Sequence, residues 1–283
     1  GAAMANRRKP ARPNGGDRLS VGQRPRRFGG CNWVGLATLL RRGMQRYFRS
    51  ATEGVLGAII SAMLFLSVFA FALPEGYVFG PGIEPINFLL PGLAAMTGFH
   101  NAFENAAFST IYDKLEGMIG DLLMAPLKPW ELIVASIASS ALGGLFTGTA
   151  VLLVGWLFVD LSFQQAGLSL LFACLGTVLF ATIGFITGLW AEKWDRFSMI
   201  STFLVLPLGM LSGSFFSLDS LPPLGQTLLV INPVFYLIDG VRGGLAGYNE
   251  GALEIGLPLL AALTLVLLVL AHRLLSSGYK VKP

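Results

Sequence analysis

Residues 211–242 read LSGSFFSLDSLPPLGQTLLVINPVFYLIDGVR, and this stretch decides how the rest of the chain is organised. Pro222-Pro223 opens a short apolar helix over 224–231, because proline is preorganised for a first helical turn. Asn232-Pro233 ends that helix, since the residue before a proline is driven out of the helical region. A second apolar run, 234–245, follows at once. Neither run reaches the roughly 20 apolar residues that a bilayer core of about 30 Å requires of a spanning helix. Two readings fit: a pair of short helices dipping into one leaflet, with their corner buried in protein, or a surface hairpin of helices. Irregular backbone at membrane depth is tolerated when protein covers it, and the dipping pair is the reading predicted here.

On both sides of this segment lie longer apolar stretches, six in all: 54–73, 86–111, 132–159, 168–191, 197–216 with Pro207 inside it, and 253–275 with Pro258 near its start. The chain is 54% hydrophobic and 13% charged over 283 residues. A soluble domain carries about 25% charged residues. The fold class predicted is therefore all-α and polytopic, with six transmembrane helices and a short re-entrant outer pair.

The net charge of +4 does not point to nucleic acid, because 12 of the 20 Lys and Arg residues precede Gly54. Bases beside membrane segments set orientation or meet anionic lipid. Counting along the six stretches puts 19 of the 20 on one side, with Arg242 the exception. Glu75, Glu84, Asp160, Asp219, Asp239, Glu250 and Glu254 fall on the other. Both termini are then expected in the cytoplasm.

Residues 1–30 are rich in Arg, Pro and Gly and are expected to be disordered, with Gly1-Ala2-Ala3 reading as a cloning scar before Met4. Residues 31–50 form an amphipathic helix: Trp33, Leu36, Leu40, Met44, Tyr47 and Phe48 share a face, and Arg41, Arg42, Arg46 and Arg49 lie mostly on others. It either lies in the membrane interface, the expectation adopted, or packs on protein as a solvated helix. Residues 51–283 are the membrane domain. Cys31 sits in the basic region and Cys174 inside an apolar run, so no disulfide is expected between them.

His100, Asn101, Glu104 and Asn105 interrupt the second stretch. A carboxylate at mid-membrane costs about 3 kcal/mol on insertion scales, so Glu104 is expected to face the bundle interior or water. His100 and Glu104, four apart, share a helical face. They are either a polar patch on a transport path or subunit contact, or a pair that only packs helices. No further His or Cys is placed to complete a metal site. After this stretch, Leu115, Met118, Ile119, Leu122 and Leu123 recur at helical spacing, with Asp113 and Glu116 elsewhere and Pro126 as the boundary. Such a short helix either docks in a partner's groove or lies on the membrane surface, and pattern alone slightly favours the surface.

Enzymatic readings fail on missing parts: there is no G-x-x-x-x-G-K-S/T, no H-E-x-x-H and no G-x-S-x-G.

The order Ser212-Gly213, Phe215-Phe216, Leu221-Pro222, Asn232-Pro233, Asp239 and Arg242 resembles the signature of ABC type-2 exporter permeases. The family often carries Pro near Ser217 and a bulkier residue at Val234. F-L-L-P-G at 88–92 and L-L-x-x-P at 122–126 are similar to further family elements. The resemblance covers Trp33 to the C-terminus. It implies a type-2 ABC exporter fold in a bacterial inner membrane and a homodimer of permeases with two separate nucleotide-binding ATPase subunits. No cofactor is expected on this chain; ATP and Mg belong to the partner. The resemblance also makes residues 112–125 the coupling helix in a cleft of the ATPase, which reverses the preference for a surface helix, and makes residues 222–247 the re-entrant pair. Helices one, two and five would line the path, so Phe65, Phe69, His100, Phe103, Glu104, Phe203 and Phe215 are candidates. Substrates of the family are lipid-linked glycans, glycolipids and hydrophobic drugs. The alternative from another class is an ion- or proton-coupled secondary transporter with His100 and Glu104 as relay; it calls for an inverted repeat, and none is visible.

Overall fold

α1 (Trp33–Ala72) begins at Asn32, whose Oδ1 accepts a 3.0 Å hydrogen bond from Gly35 N and so satisfies one free N–H of the first turn. It runs unbroken for 40 residues, about 60 Å at 1.5 Å per residue. The sequence reading separated an interfacial helix, 31–50, from a first span, 54–73. The structure joins them, because Ser50-Ala51-Thr52-Glu53 holds neither proline nor glycine and has nothing to stop propagation. A bilayer core takes up only about half of that length.

The computed structural model describes residues 32–74, 78, 82–120, 127–159 and 164–278. The tail 1–30, Cys31, Leu122 and Leu123 lie outside the described residues. Every extended regular element among the described residues is helical. Cys174 is a half-buried free thiol.

α2 (Pro85–Leu115) is the hub, packing on α1, α3 (Pro129–Trp156), α4 (Ala166–Trp190) and the later α8. Its inward side carries Gly98, Phe99, Ala102, Phe103 and Ala106, all buried. Small residues let it approach α3 closely: a Cβ on Gly144 would lie only 2.7 Å from the Cβ of Ala102. Close packing through Gly and Ala is how membrane helices associate without a hydrophobic drive between them.

The fifth apolar stretch departs from expectation. It forms α5 (Trp194–Ile200), a π-helical turn (Ser201–Val205) and α6 (Leu206–Met210), after which the chain unwinds and turns at Gly213 with φ +73°. Pro207 is the local cause, since it can neither donate to the turn before it nor avoid the carbonyl four residues back. The widened turn at 201–205 absorbs that conflict.

α7 (Pro223–Ile231) and α8 (Pro233–Ala246) meet at 86°, as the two prolines led us to expect. Asn232 makes the corner. Its Oδ1 accepts from Val234 N at 3.0 Å, and its Nδ2 donates to Leu208 O at 2.9 Å and Leu211 O at 2.8 Å, taking up carbonyls released where α6 ends. α9 (Leu253–Ser276) closes the bundle against α4 and α8.

By length and composition α1, α3, α4 and α9 are able to cross a membrane, and the bent α7–α8 pair passes the same test taken together. α2 is long enough, at 31 residues, but its polar second half sets it apart.

Candidate functional site

At one end of α2 stands an elbow built from the 211–216 turn, α8 and the loop after it. Arg242 is fully buried. Its Nη2 donates to Gly213 O at 2.5 Å, and the guanidinium lies 3.7 Å from the centroid of the Phe88 ring. The approach is possible because residue 92 is glycine: a Cβ there would sit 3.2 Å from the Ser214 backbone and 3.4 Å from Arg242 Nη2. Asp239, one turn earlier on α8 and also fully buried, accepts from Glu250 N and Gly251 N, each at 2.9 Å. Glu250 in turn accepts from Leu218 N at 2.9 Å through Oε2. Asp239 therefore folds the loop back and Glu250 hooks it to the turn. Nε and Nη1 of Arg242 and Asn87 Oδ1 have no hydrogen-bond partner among the described residues.

At the other end of α2, Asp113 Oδ1 receives Arg42 Nη2 at 3.0 Å and Arg46 Nη2 at 2.8 Å. Arg46 also donates to Ser109 Oγ at 2.9 Å and covers the Tyr112 ring at 5.6 Å. The basic face of α1 is thus partly turned inward, onto α2. Beside it, buried Lys114 donates from Nζ to Leu189 O at 2.6 Å, placing a cation at the negative C-terminal end of α4. The expected single helix over 112–125 is broken. α2 ends at Leu115, and Gly117 turns the chain at φ +71°, the left-handed position that ends many helices and favours glycine. Met118–Gly120 then resume helical geometry. Of the residues assigned to this segment, Leu115 and Glu116 are exposed, Met118 is half-buried, Ile119 packs with Ile133 and Ile137, and Asp113 is tied to α1 rather than open to a partner.

The path candidates divide. Phe65 packs at a tilt against Phe69 at 4.6 Å and against Phe215 at 4.8 Å between centroids, joining α1 to the 211–216 turn. Phe203 projects from the π-helical turn with 77% exposure. Phe103 is wholly buried in this chain and stacked on Phe197 at 5.9 Å. His100 and Glu104 do meet, Nδ1 to Oε2 at 3.7 Å, but not in the interior of this chain. The Glu104 side chain is 48% exposed, because Ala102, Phe103 and Ala106 occupy the inward face and leave 100, 104 and 108 outside. Among the described residues no cluster of His, Cys, Asp and Glu is arranged to hold a metal.

Three residues in these arrangements escaped the sequence reading. Glu131, almost fully buried, accepts from Asn32 N at 2.7 Å and Lys128 N at 2.8 Å, clamping the start of α1 to the start of α3. A carboxylate three residues after the helix boundary at Lys128 was the available signal. Lys114 carried only its place near a helix end. Tyr47, bonded to Thr147 Oγ1 at 2.7 Å, gave none beyond helical spacing.

Comparison with known proteins agrees with this architecture. The ABC-2 type transporter family matches residues 35–246. The chain is 30% identical over 218 residues to the inner membrane transport permease YadH of Escherichia coli (strain K12), covering 77% of this chain and 85% of that protein. It is 25% identical over 226 residues to nodulation protein J of Rhizobium leguminosarum bv. viciae, covering 77% and 84%. Nodulation protein J of Sinorhizobium fredii is 25% identical over 216 residues, covering 75% and 80%.

Proposed function

The chain belongs to the ABC-2 type transporter family and is the membrane subunit of a transporter; from that premise we propose that it is the permease of an ATP-driven exporter in a bacterial inner membrane. Six segments would span, the α7–α8 pair would re-enter from the outside, and both termini would face the cytoplasm. Two copies would pair, and two separate ATPase subunits would bring ATP and Mg, since this chain carries no P-loop sequence. The cargo class is a lipid-linked glycan, a lipid or a hydrophobic drug.

One observation carries the proposal: α2 is a single helix that links the Asp113 clamp, the His100–Glu104 pair and the Arg242 elbow. Its cytoplasmic end holds the Asp113 clamp and the exposed Leu115-Glu116 tip, its middle presents His100 and Glu104 outward, and its far end supports Arg242 through Phe88 and Gly92. A push on the tip is transmitted to α1 through two arginines and along α2 to the elbow. The outward Glu104 supports pairing of two copies, because a half-exposed carboxylate in a spanning segment is tolerated only against protein or a water-filled cavity. Phe65, Phe69, Phe203 and Phe215 would then form an aromatic wall suited to sugar faces and acyl chains.

The experiment is co-expression with a candidate nucleotide-binding ATPase subunit, purification through a tag on this chain, and measurement of ATP hydrolysis in proteoliposomes with candidate cargo. Co-purification of an ATPase whose activity rises with cargo is expected. Hydrolysis by this chain alone, or transport driven by an ion gradient without ATP, would overturn the proposal.

A further inference from the structure

Away from the sites above, a cleft of about 310 Å³ lies between α3 and α4. Ala95 and Gly98 of α2 form its floor, Gly148 and Leu152 of α3 one wall, Ala173 of α4 the other, and Val241 of α8 closes one end. We propose that this cleft binds an acyl chain of a membrane phospholipid as a resident ligand.

The chemistry of the lining excludes most other occupants. No charged side chain lines the cleft. Two of its hydroxyls already donate within the protein: Thr177 to Ala173 O at 2.9 Å and Cys174 O at 3.0 Å, and Ser169 to Val241 O at 2.5 Å. Water needs two to four polar partners to be held in a cavity, and an apolar cavity stays dry. An empty cleft forfeits the dispersion contacts of its walls. Both walls are helices long and apolar enough to span the membrane, so the fluid at the mouth is lipid hydrocarbon. An enclosed apolar cavity of about 150 Å³ holds a benzene molecule. This cleft is about twice that size and open on one side, which suits a flexible chain entering from the bilayer.

Glycine makes the cleft possible. A Cβ on Gly148 would lie 2.9 Å from Ala94 O, so α2 and α3 could not approach as they do, and the flat floor would be lost. The occupant would brace Val241, the residue immediately before Arg242, and so support the elbow from the lipid side. The inference rests on the chain being membrane-embedded, and not on cargo, ATPase or direction of transport.

The test uses the full chain in nanodiscs of synthetic phosphatidylethanolamine and phosphatidylglycerol, a fraction of it carrying a diazirine at mid-chain. After irradiation, adducts are mapped by peptide mass spectrometry. No cargo is present, so adducts report the membrane lipid itself. Labelling of Leu152, Leu170 and Ala173 is expected to exceed that of the exposed α9 residues Leu265 and Val266 several-fold. Ala173→Trp, which fills the cleft, should bring the excess down to the α9 level while α9 labelling stays constant. Should that variant misfold, Thr149→Trp at the half-open mouth makes the same prediction. Equal labelling of cleft and α9 would overturn the proposal. So would an excess that survives filling, or a disulfide between two copies carrying Leu145→Cys, which would make the cleft a protein interface.

Discussion

The Arg242 guanidinium lies 3.7 Å from the centroid of the Phe88 ring, which fixes α8 to the first turns of α2. This cation is fully buried, and the ring face takes the place of solvent on one side while Gly213 O accepts on another. A desolvated cation–π contact contributes about 2 kcal/mol. Phe88→Leu keeps the site apolar but removes the ring face and some buried volume, so it should destabilise by at least that amount. Arg242→Ala should cost more, about 3 kcal/mol or above, because it removes the ring contact and the charged bond to Gly213 O together and leaves a cavity where a fully buried side chain stood. Thermal unfolding of the purified chain in detergent, read by tryptophan fluorescence, should rank the wild type above Phe88→Leu and Phe88→Leu above Arg242→Ala. Equal midpoints for all three would remove Arg242 from the structural account of the elbow.

Arg42 and Arg46 converge on one carboxylate, at 3.0 and 2.8 Å. Either arginine alone still neutralises Asp113, so the clamp is redundant from the α1 side and not from the α2 side. Arg42→Gln should cost little, under about 1 kcal/mol, as partly exposed ion pairs do. Asp113→Asn, which leaves two arginines facing each other, should cost more and should uncouple cargo from ATP hydrolysis in the assembled transporter. Adding Arg42→Gln to Asp113→Asn should recover part of the loss, a non-additivity expected of residues in one network. A strictly additive cycle would mean that the three charges act independently.

Gly117 holds φ +71° between the end of α2 and the helical turn at Met118. An L-residue in that conformation costs roughly 1–2 kcal/mol. Nothing lies within 4 Å of where its Cβ would be, so Gly117→Ala meets no clash and isolates the backbone term. The expected result is a chain that folds and inserts normally but shows weaker ATPase binding, because the exposed Leu115-Glu116 tip changes its angle to whatever follows. Gly117→Asn, which tolerates left-handed geometry better, should restore most of the binding. Rescue failing while Gly117→Ala is impaired would point to space rather than angle.

What was legible in the sequence follows from how local its cause is. The apolar stretches could be read because the bilayer sets a length, and the α7–α8 corner because Asn232-Pro233 acts on its own backbone. The continuity of α1 across residues 50–53 was missed because it depends on what is absent there, and an amphipathic run followed by an apolar one invites a break. The division of the 112–125 segment turned on one glycine, Gly117, which the apolar spacing around it concealed. Lys114 and the inward-facing Arg42 and Arg46 were beyond reach, because each meets partners that are distant along the chain; for Glu131 only the local bond to Lys128 N could be read, and not the one to Asn32 N.

Phe103 and Phe203 could not be told apart by residue type, and they make the sharpest contrast for experiment. Phe103 is fully enclosed and stacked on Phe197, whereas Phe203 is 77% exposed on the π-helical turn. Truncating a buried phenylalanine to alanine costs about 3–5 kcal/mol through lost burial and the cavity left behind. Phe103→Ala should therefore lower the unfolding midpoint sharply and reduce the amount of protein in the membrane, with transport falling in proportion to protein. Phe203→Ala creates no cavity within this chain, so its midpoint should stay close to the wild type. If the exposed ring belongs to the transport path, cargo stimulation of ATPase should fall in Phe203→Ala at unchanged protein level, and Phe203→Leu should restore it only for cargo that needs no aromatic face. An unchanged cargo response in Phe203→Ala, with a normal midpoint, would assign that ring to contact with lipid and move the search for the path to the Phe65–Phe215 pair.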